Sequence, residues 1–320
     1  METTEAIVVP QPYELTFQTV KLRALGRDEV LVKTRYTSIS AGTERMLLAG
    51  QLVEMAGLPF PCIPGYETVG EVIETGPDVP EGFLGQLVFI GGSYGYEGVT
   101  PAWGGQSRYI SAPYQKAFRL NGVDPAQAVA IAPAATAWHG VELIAPQEGE
   151  LVLVLGQGPI GQFAAQAAKL KGATVVVADV VASRLEKAAA GDYKIDLSHQ
   201  TLKEGLPGQI DVFIDATGKM PAISANLMQM KARGRVLLLG FYQKIELNFA
   251  IPFIKELSFR PSREWAAEDI PAVIEALRQQ RLSAAHLFTH RFPIAQYQVA
   301  YQTALEDPEC LKVLMEWNKG

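Results

Sequence analysis

Cysteine is scarce in this chain of 320 residues, and the two thiols, Cys62 and Cys310, lie far apart. Neither sits in a Cys-x-x-Cys or Cys/His spacing, so a disulfide framework and a structural zinc site are both excluded as expectations, and a reducing cytoplasm is the expected location. Long apolar runs are missing as well. No stretch reaches the roughly 18 uninterrupted apolar residues of a membrane span, and METTEAIVVP at the N-terminus lacks a basic segment followed by an apolar one. No membrane span and no secretory leader are expected. A surplus of positive charge is also lacking: the net charge of -6 repels a polyanion on average, so no nucleic-acid partner is expected.

What remains is an ordinary globular composition, with 48% apolar and 19% charged residues, and a length that favours two domains, each with its own core. Up to about residue 120 the pattern is short strands and turns (AIVV, ELTFQTV, EVLVKTRYTSIS, TVGEVIETG, QLVFIG, RYISAP) punctuated by Gly, Pro, Asp and Asn. The six glycines of FIGGSYGYEGVTPAWGGQSRYI exclude a helix and predict strand, long loop and strand. From about residue 124 the period changes. DPAQAVAIAPAATAWHGVELI reads as helix, LVLVLG (151–156) as a fully buried strand, PIGQFAAQAAKLKG as a helix ending at Gly172, and TVVVAD (174–179) as a second buried strand. That is a βαβ unit with both sheet faces covered, continued by DVFIDATG and RVLLLGFY. Ile270, Val273, Ile274 and Leu277 mark an amphipathic helix behind the acidic pair Glu268 and Asp269, and the tail from FTHRFP reads as strand, helix, strand returning to the first domain.

The expected architecture is therefore α/β: a β-rich domain over 1–120 and 264–320, and a doubly wound Rossmann domain over 121–263. GQGPIG (156–161) closes an apolar strand and opens a helix, where the mechanism of a dinucleotide loop requires it. Gly156 turns tightly, Gly158 admits a pyrophosphate to the backbone, Gly161 lets helix and strand touch, and Pro159 and Ile160 lie at the helix N-terminus. Asp179 ends the next strand 18 residues after Gly161, placed to accept from both adenosine ribose hydroxyls. A 2′-phosphate beside it would meet a like charge, so NAD is expected over NADP, with Arg184 a candidate for a phosphate or for adenine. Thr217 and Gly240, at later strand ends, are expected near the nicotinamide half.

A β-rich domain with an inserted Rossmann unit and a C-terminal return resembles the medium-chain dehydrogenase/reductase superfamily, in which the first domain is GroES-like and catalytic. Zinc alcohol dehydrogenases of that superfamily carry Cys-Gly-Thr-Asp and Gly-His-Glu. This chain has Ala41-Gly42-Thr43-Glu44 and Gly65-Tyr66-Glu67, its IAPAATAW lacks the third cysteine ligand, and the four-cysteine structural lobe is absent. A catalytic zinc needs three protein ligands, so no metal is expected. Within the superfamily, ISAGTERMLLAG, PGYETVGEV, TAWHGVE, LGFY, REWAAED, THRFP and EDPECLKVLMEW resemble the 3-hydroxyethyl bacteriochlorophyllide a dehydrogenases of bacteriochlorophyll synthesis. That resemblance implies NAD-dependent oxidation of the hydroxyethyl group of a chlorin to acetyl, in a homo-oligomer.

Without zinc the alcohol proton needs another acceptor or relay. The expected one is Tyr66, at the position of the superfamily's zinc-binding histidine, with Ser40, Thr43 and His139 as relay members and Glu67 beside it, either taking part or held by an arginine such as Arg45. Arg45, Arg108 and Arg263 are candidates for the substrate propionate, and Trp103 and Trp265 for stacking on a flat macrocycle. Two alternatives stand beside this expectation. One is a quinone or enone reductase of the same superfamily; the other is an NAD(H)-binding sensor that has lost its chemistry.

Overall fold

The computed structural model describes residues 1–317. Its chain divides into two compact units, Met1–Ala132 together with the stretch from Phe288 on, and Pro133–Leu287.

In the first unit the long strand Glu29–Ser38 is the centre of a seven-stranded sheet. Its alternation of apolar and polar residues leaves Val30 and Val32 fully buried. On one edge it pairs antiparallel with Thr68–Thr75, which continues to Leu87–Ile90 and Ala117–Arg119. On the other edge, Tyr109–Pro113 covers its first half and the C-terminal strand Lys312–Glu316 covers Tyr36–Ser38. Phe288–Pro293 then lies parallel to that last strand. The return to the first unit is thus a strand addition to its central sheet, and Trp317, fully buried, donates its indole N–H to Thr37 Oγ1 at 2.9 Å. The region expected as strand, loop and strand contains short strands at Tyr96–Glu97 and Thr100–Pro101 within the loop.

The second unit is built on a six-stranded parallel sheet in the spatial order Tyr193–Asp196, Thr174–Asp179, Leu151–Leu155, Ile210–Asp215, Met230–Leu238, Ser258–Pro261. Numbered along the chain this is 3-2-1-4-5-6, the doubly wound order of a Rossmann fold. The strand order reverses between Leu151–Leu155 and Ile210–Asp215, so the turns after these two strands flank the crevice where such folds bind their ligands.

The expected boundaries shift. The second unit begins at Pro133, inside the helix Ile131–Ile144, and runs to Leu287, well past the 263 expected from the sequence. The cause is polar satisfaction. Helix Pro159–Leu170 buries Gln162 and Gln166, and a buried amide needs partners. Gln166 finds them at Ser283, whose N–H donates to Oε1 at 2.8 Å and whose carbonyl accepts from Nε2 at 3.1 Å, while Gln162 Oε1 lies 2.8 Å from His286 Nε2. The amphipathic helix is present as Asp269–Arg278, with Ile270, Val273, Ile274 and Leu277 buried. Its acidic residues do not cap it: Glu268 makes no capping bond, and Asp269 accepts from the Ala266 N–H at 2.5 Å instead.

Glycine is required where helix Pro159–Leu170 leaves the sheet, since a Cβ on Gly161 would sit 1.8 Å from the Gly156 carbonyl oxygen. The backbone cannot yield there without opening the turn. Gly161→Ala is accordingly expected to destabilise the protein by about 1–3 kcal/mol, read as a lowered melting temperature, and to weaken dinucleotide binding in a titration of the folded fraction.

Candidate active site

The first-unit site is organised by two local features. Gly65 adopts φ +97°, a conformation open to glycine, and the Gly105 N–H donates to its carbonyl at 2.7 Å. This turn sets the direction in which Tyr66 and Glu67 leave it. The second feature is the start of helix Ala41–Leu48. Ser40 stands at the N-cap, where a serine side chain usually accepts from the first turn, yet here it makes no such bond. Its Oγ lies 2.5 Å from Tyr66 Oη, and Thr43 Oγ1 lies 3.2 Å from the same oxygen. Trp103 packs its ring edge-on against the Tyr66 ring at 5.3 Å. Three hydroxyls thus converge under an indole.

Tyr66 and Glu67 part company at this point. Glu67 is 2% exposed and pairs with the ammonium of Lys312, 4% exposed, at 2.6 and 2.9 Å to its two oxygens. Lys312 Nζ also donates to the Ile39 carbonyl at 3.3 Å. The arginine expected to hold Glu67 is elsewhere, because Arg45 donates to the Leu305 carbonyl. Burial raises the Tyr66 phenol well above its ordinary range, and the charge on Glu67 adds to that rise. A free phenolate is therefore disfavoured at neutral pH, and Tyr66 is suited to relaying a proton rather than holding a negative charge.

His139 lies in the second unit, where its Nδ1 is 2.9 Å from Asp269 Oδ2. The other arginine candidates also have protein partners: Arg108 pairs with Glu5 and donates to the Trp317 carbonyl, and Arg263 lies 3.2 Å from Glu264. Trp103 lies against Tyr66 instead of standing open for stacking, and Trp265 is half-buried.

The residues present do not suit a tetrahedral zinc. Where the zinc relatives have cysteine and histidine, the chain offers Ala41 and a tyrosine hydroxyl already engaged by two others, and Glu67 is neutralised by an ammonium that would repel a metal ion. Among the described residues no group of three or more His, Cys, Asp or Glu could hold a metal.

In the second unit, Gly156 turns at φ +92° and Gly158 caps helix Pro159–Leu170. Pro159, at the first helical position, lacks an N–H but presets the helical backbone, leaving the Ile160 and Gly161 N–H groups for an anion. Asp179 is 6% exposed and already accepts from two backbone donors, Gln157 N–H at 2.5 Å and Val181 N–H at 2.9 Å. It therefore ties the glycine loop to the end of its strand, in addition to presenting a carboxylate there. Arg184 lies on the short helix Ala182–Glu186, and its carbonyl accepts from Gln162 Nε2 at 3.2 Å.

Thr217 belongs to a clasp that sequence reasoning missed. Asp215, fully buried at the end of its strand, accepts from Thr217 Oγ1 at 2.7 Å, from the Thr217 and Gly218 N–H groups at 3.2 and 3.0 Å, and from the Tyr242 hydroxyl. Burial raises its carboxyl, and these donors hold it down. Gly240 touches Gly218 so closely that a Cβ would lie 2.3 Å from the Gly218 Cα. Thr217 and Gly240 thus shape the strand ends flanking the crevice.

Comparison with known proteins places this geometry. Residues 26–122 match the alcohol dehydrogenase GroES-like domain and residues 159–279 the zinc-binding dehydrogenase family. An L-galactonate-5-dehydrogenase of Escherichia coli K12 is 30% identical, over 94% of this chain and 95% of its own. The chain belongs to the medium-chain dehydrogenase/reductase family and is an oxidoreductase of the alcohol dehydrogenase class. Its similarity to a 2-desacetyl-2-hydroxyethyl bacteriochlorophyllide A dehydrogenase of Cereibacter sphaeroides is 29% identity over 98% of both chains. An alcohol dehydrogenase of Escherichia coli CFT073, solved with NADH, superimposes with a TM-score of 0.86 at 26% identity, covering 99% of this chain and all of that one. A nicotinamide dinucleotide is thus the cofactor class, matching the glycine loop.

The buried ion pair sets an expectation of its own. Lys312→Met leaves the Glu67 charge unpaired and should cost about 3–5 kcal/mol, read by denaturant unfolding, whereas combining it with Glu67→Leu should recover most of that loss.

Proposed function

We propose that the protein oxidises the hydroxyethyl group of a bacteriochlorophyllide to acetyl, with NAD and without a metal. The observation that carries this reading is the Ser40–Thr43–Tyr66 hydroxyl cluster, with Tyr66 at the position of a zinc-binding histidine, in a chain similar along its whole length to bacteriochlorophyllide dehydrogenases. Positive charge developing at the carbinol carbon is delocalised into the macrocycle, and the ketone product is conjugated with it, which lessens the need for a Lewis acid.

NAD, which the glycine loop 156–161 and Asp179 would hold, would supply the acceptor for the hydride of the carbinol carbon. The alcohol proton passes to Tyr66 Oη as Tyr66 hands its own proton to Ser40 Oγ, and Ser40 passes its own through Thr43 Oγ1, 3.5 Å away and half-exposed, to solvent water, so no free phenolate has to form. The carbinol carbon loses two electrons, and the proton leaves through the hydroxyls. Glu67 stays paired with Lys312 and lies outside this relay. Ile160 and Gly161 N–H groups receive the pyrophosphate, and Asp179 receives the adenosine ribose. NAD over NADP is supported by the Asp179 carboxylate, which a 2′-phosphate would meet as a like charge. A homo-oligomer belongs to the same reading, supported by the edge strand Ser258–Pro261 and the exposed Phe249, Phe253 and Ile254 just before it. A cytoplasmic location also belongs to it, consistent with two free thiols.

The test is an anaerobic mixture of protein, NAD and 3-hydroxyethyl bacteriochlorophyllide a. A product lighter by two hydrogens is expected, with turnover unchanged after exhaustive chelation. No product from protein that demonstrably binds NAD would sink the reading. Tyr66→Phe should lower turnover about 10-fold or more with NAD affinity intact. Asp179→Asn keeps one acceptor, for the Gln157 N–H of the loop, while removing the charge and the bond from the Val181 N–H, and should shift the ratio of kcat/KM for NAD over NADP about 10-fold toward NADP.

A further inference from the structure

Glu44 is a carboxylate at 2% exposure, four residues into the chain from Ser40, on the same helix Ala41–Leu48. Its Oε1 accepts the Ser40 N–H at 3.0 Å, and its Oε2 accepts the hydroxyl of Tyr301, a fully sequestered side chain on helix Tyr297–Glu306. Ser40 is therefore held from behind. The acidic side chain reaches back to the N-cap backbone and fixes it, while the Ser40 hydroxyl makes no capping bond and lies against Tyr66 instead. Glu44 bears on Tyr66 by two routes: through the Ser40 backbone it holds, and by its charge, which raises the phenol.

We infer that Glu44 is a positioning residue: its carboxyl, clamped by Tyr301, fixes the Ser40 backbone so that the Ser40 hydroxyl meets Tyr66. The inference rests on the relay described under the proposed function. Burial pushes the Glu44 carboxyl up to about 7. The Tyr301 hydroxyl and Ser40 N–H pull it down, the Glu67 charge raises it further, and Lys312 lowers it. Cys62 faces the same Tyr301, and Tyr66 completes the titratable groups around the pair. The ionised carboxylate accepts both donors as charge-assisted hydrogen bonds, so the relay tightens as pH rises through that value. Stability moves oppositely. A carboxyl raised in the folded state binds more protons folded than unfolded between about pH 4.5 and 7, so its contribution is present at low pH and lost as pH rises through the folded value.

The experiment is the pH profile of pigment oxidation for wild type, Glu44→Gln, Glu44→Leu and Tyr301→Phe, paired with infrared titration of the protonated-carboxyl band in substrate-free protein. Glutamine keeps the geometry, its amide oxygen accepting from Ser40 and its amide N–H donating to the Tyr301 oxygen. Glu44→Gln is expected to retain turnover within about threefold but to lose the inflection near pH 7, whereas Glu44→Leu should lower kcat about 10-fold with KM for NAD unchanged. Tyr301→Phe removes a donor that holds the carboxyl down and should move the inflection to higher pH. If Glu44→Leu does not fold, the other two variants decide. An active wild type whose inflection persists in Glu44→Gln, or stays put in Tyr301→Phe, overturns the inference while leaving the proposed function intact. An inactive wild type sinks the proposed function instead, and the infrared band then decides. A band titrating near pH 7 and lost in Glu44→Gln upholds the clamp; its absence overturns it.

Discussion

A lysine ammonium buried to 4% exposure cannot be tolerated without a partner, and Lys312 finds one 245 positions earlier in Glu67. That ion pair joins the C-terminal strand to the turn carrying Tyr66, so the position of the hydroxyl cluster depends on a strand laid down after the second unit. It also decides the electrostatics. Glu67 adjoins Tyr66 in sequence, and an unpaired charge there would oppose any loss of the phenol proton more strongly. Pairing turns the carboxylate to a structural role, leaving the Tyr66 hydroxyl against those of Ser40 and Thr43.

The contrast with a zinc site is one of charge arrangement. A metal ion concentrates positive charge on the reacting oxygen itself, whereas this first unit keeps its cation behind the tyrosine and spends it on a carboxylate. Under the proposed function, stabilising the departing proton falls to the oxygen–oxygen contacts around Tyr66 and to the substrate's own conjugation. The fully covered core around Ile39, Leu47, Cys62, Tyr301 and Trp317 excludes water from the back of the cluster, which strengthens such contacts.

Legibility followed range along the chain. The Rossmann half could be read because its signals are local: apolar strands, a glycine loop between strand and helix, and an acidic residue at the next strand end. Tyr66, Ser40 and Thr43 could be grouped because the resemblance placed GTER and PGYE together, and the structure does bring their hydroxyls into contact. Lys312, Tyr301 and the glutamines that draw residues 283–286 into the second unit could not be read, since each partner lies more than a hundred positions away. The compact units divide at Leu287, past those residues, rather than at the 263 expected. The neighbour of His139 could not be read either, because a motif in sequence says nothing of which residue, here Asp269, meets its ring. Glu44 was visible in GTER, but a carboxylate near a serine does not announce that it grips the serine's backbone rather than its hydroxyl.

The strand addition that completes the first unit has a further consequence. Between Ala132 and Phe288 the whole second unit is looped out of the first. Closing such a loop grows costlier only logarithmically, by about 0.6 kcal/mol for each doubling of length, and a segment that folds by itself shortens the effective span. Synthesis imposes an order, however, because Lys312 and Trp317 emerge only after the second unit has been made. Until then the edge of strand Glu29–Ser38 at Tyr36–Ser38 is open, and Glu67 waits without its counter-ion. The dinucleotide fold is thus available during translation before the hydroxyl cluster has its backing, and proton-handling competence arrives last.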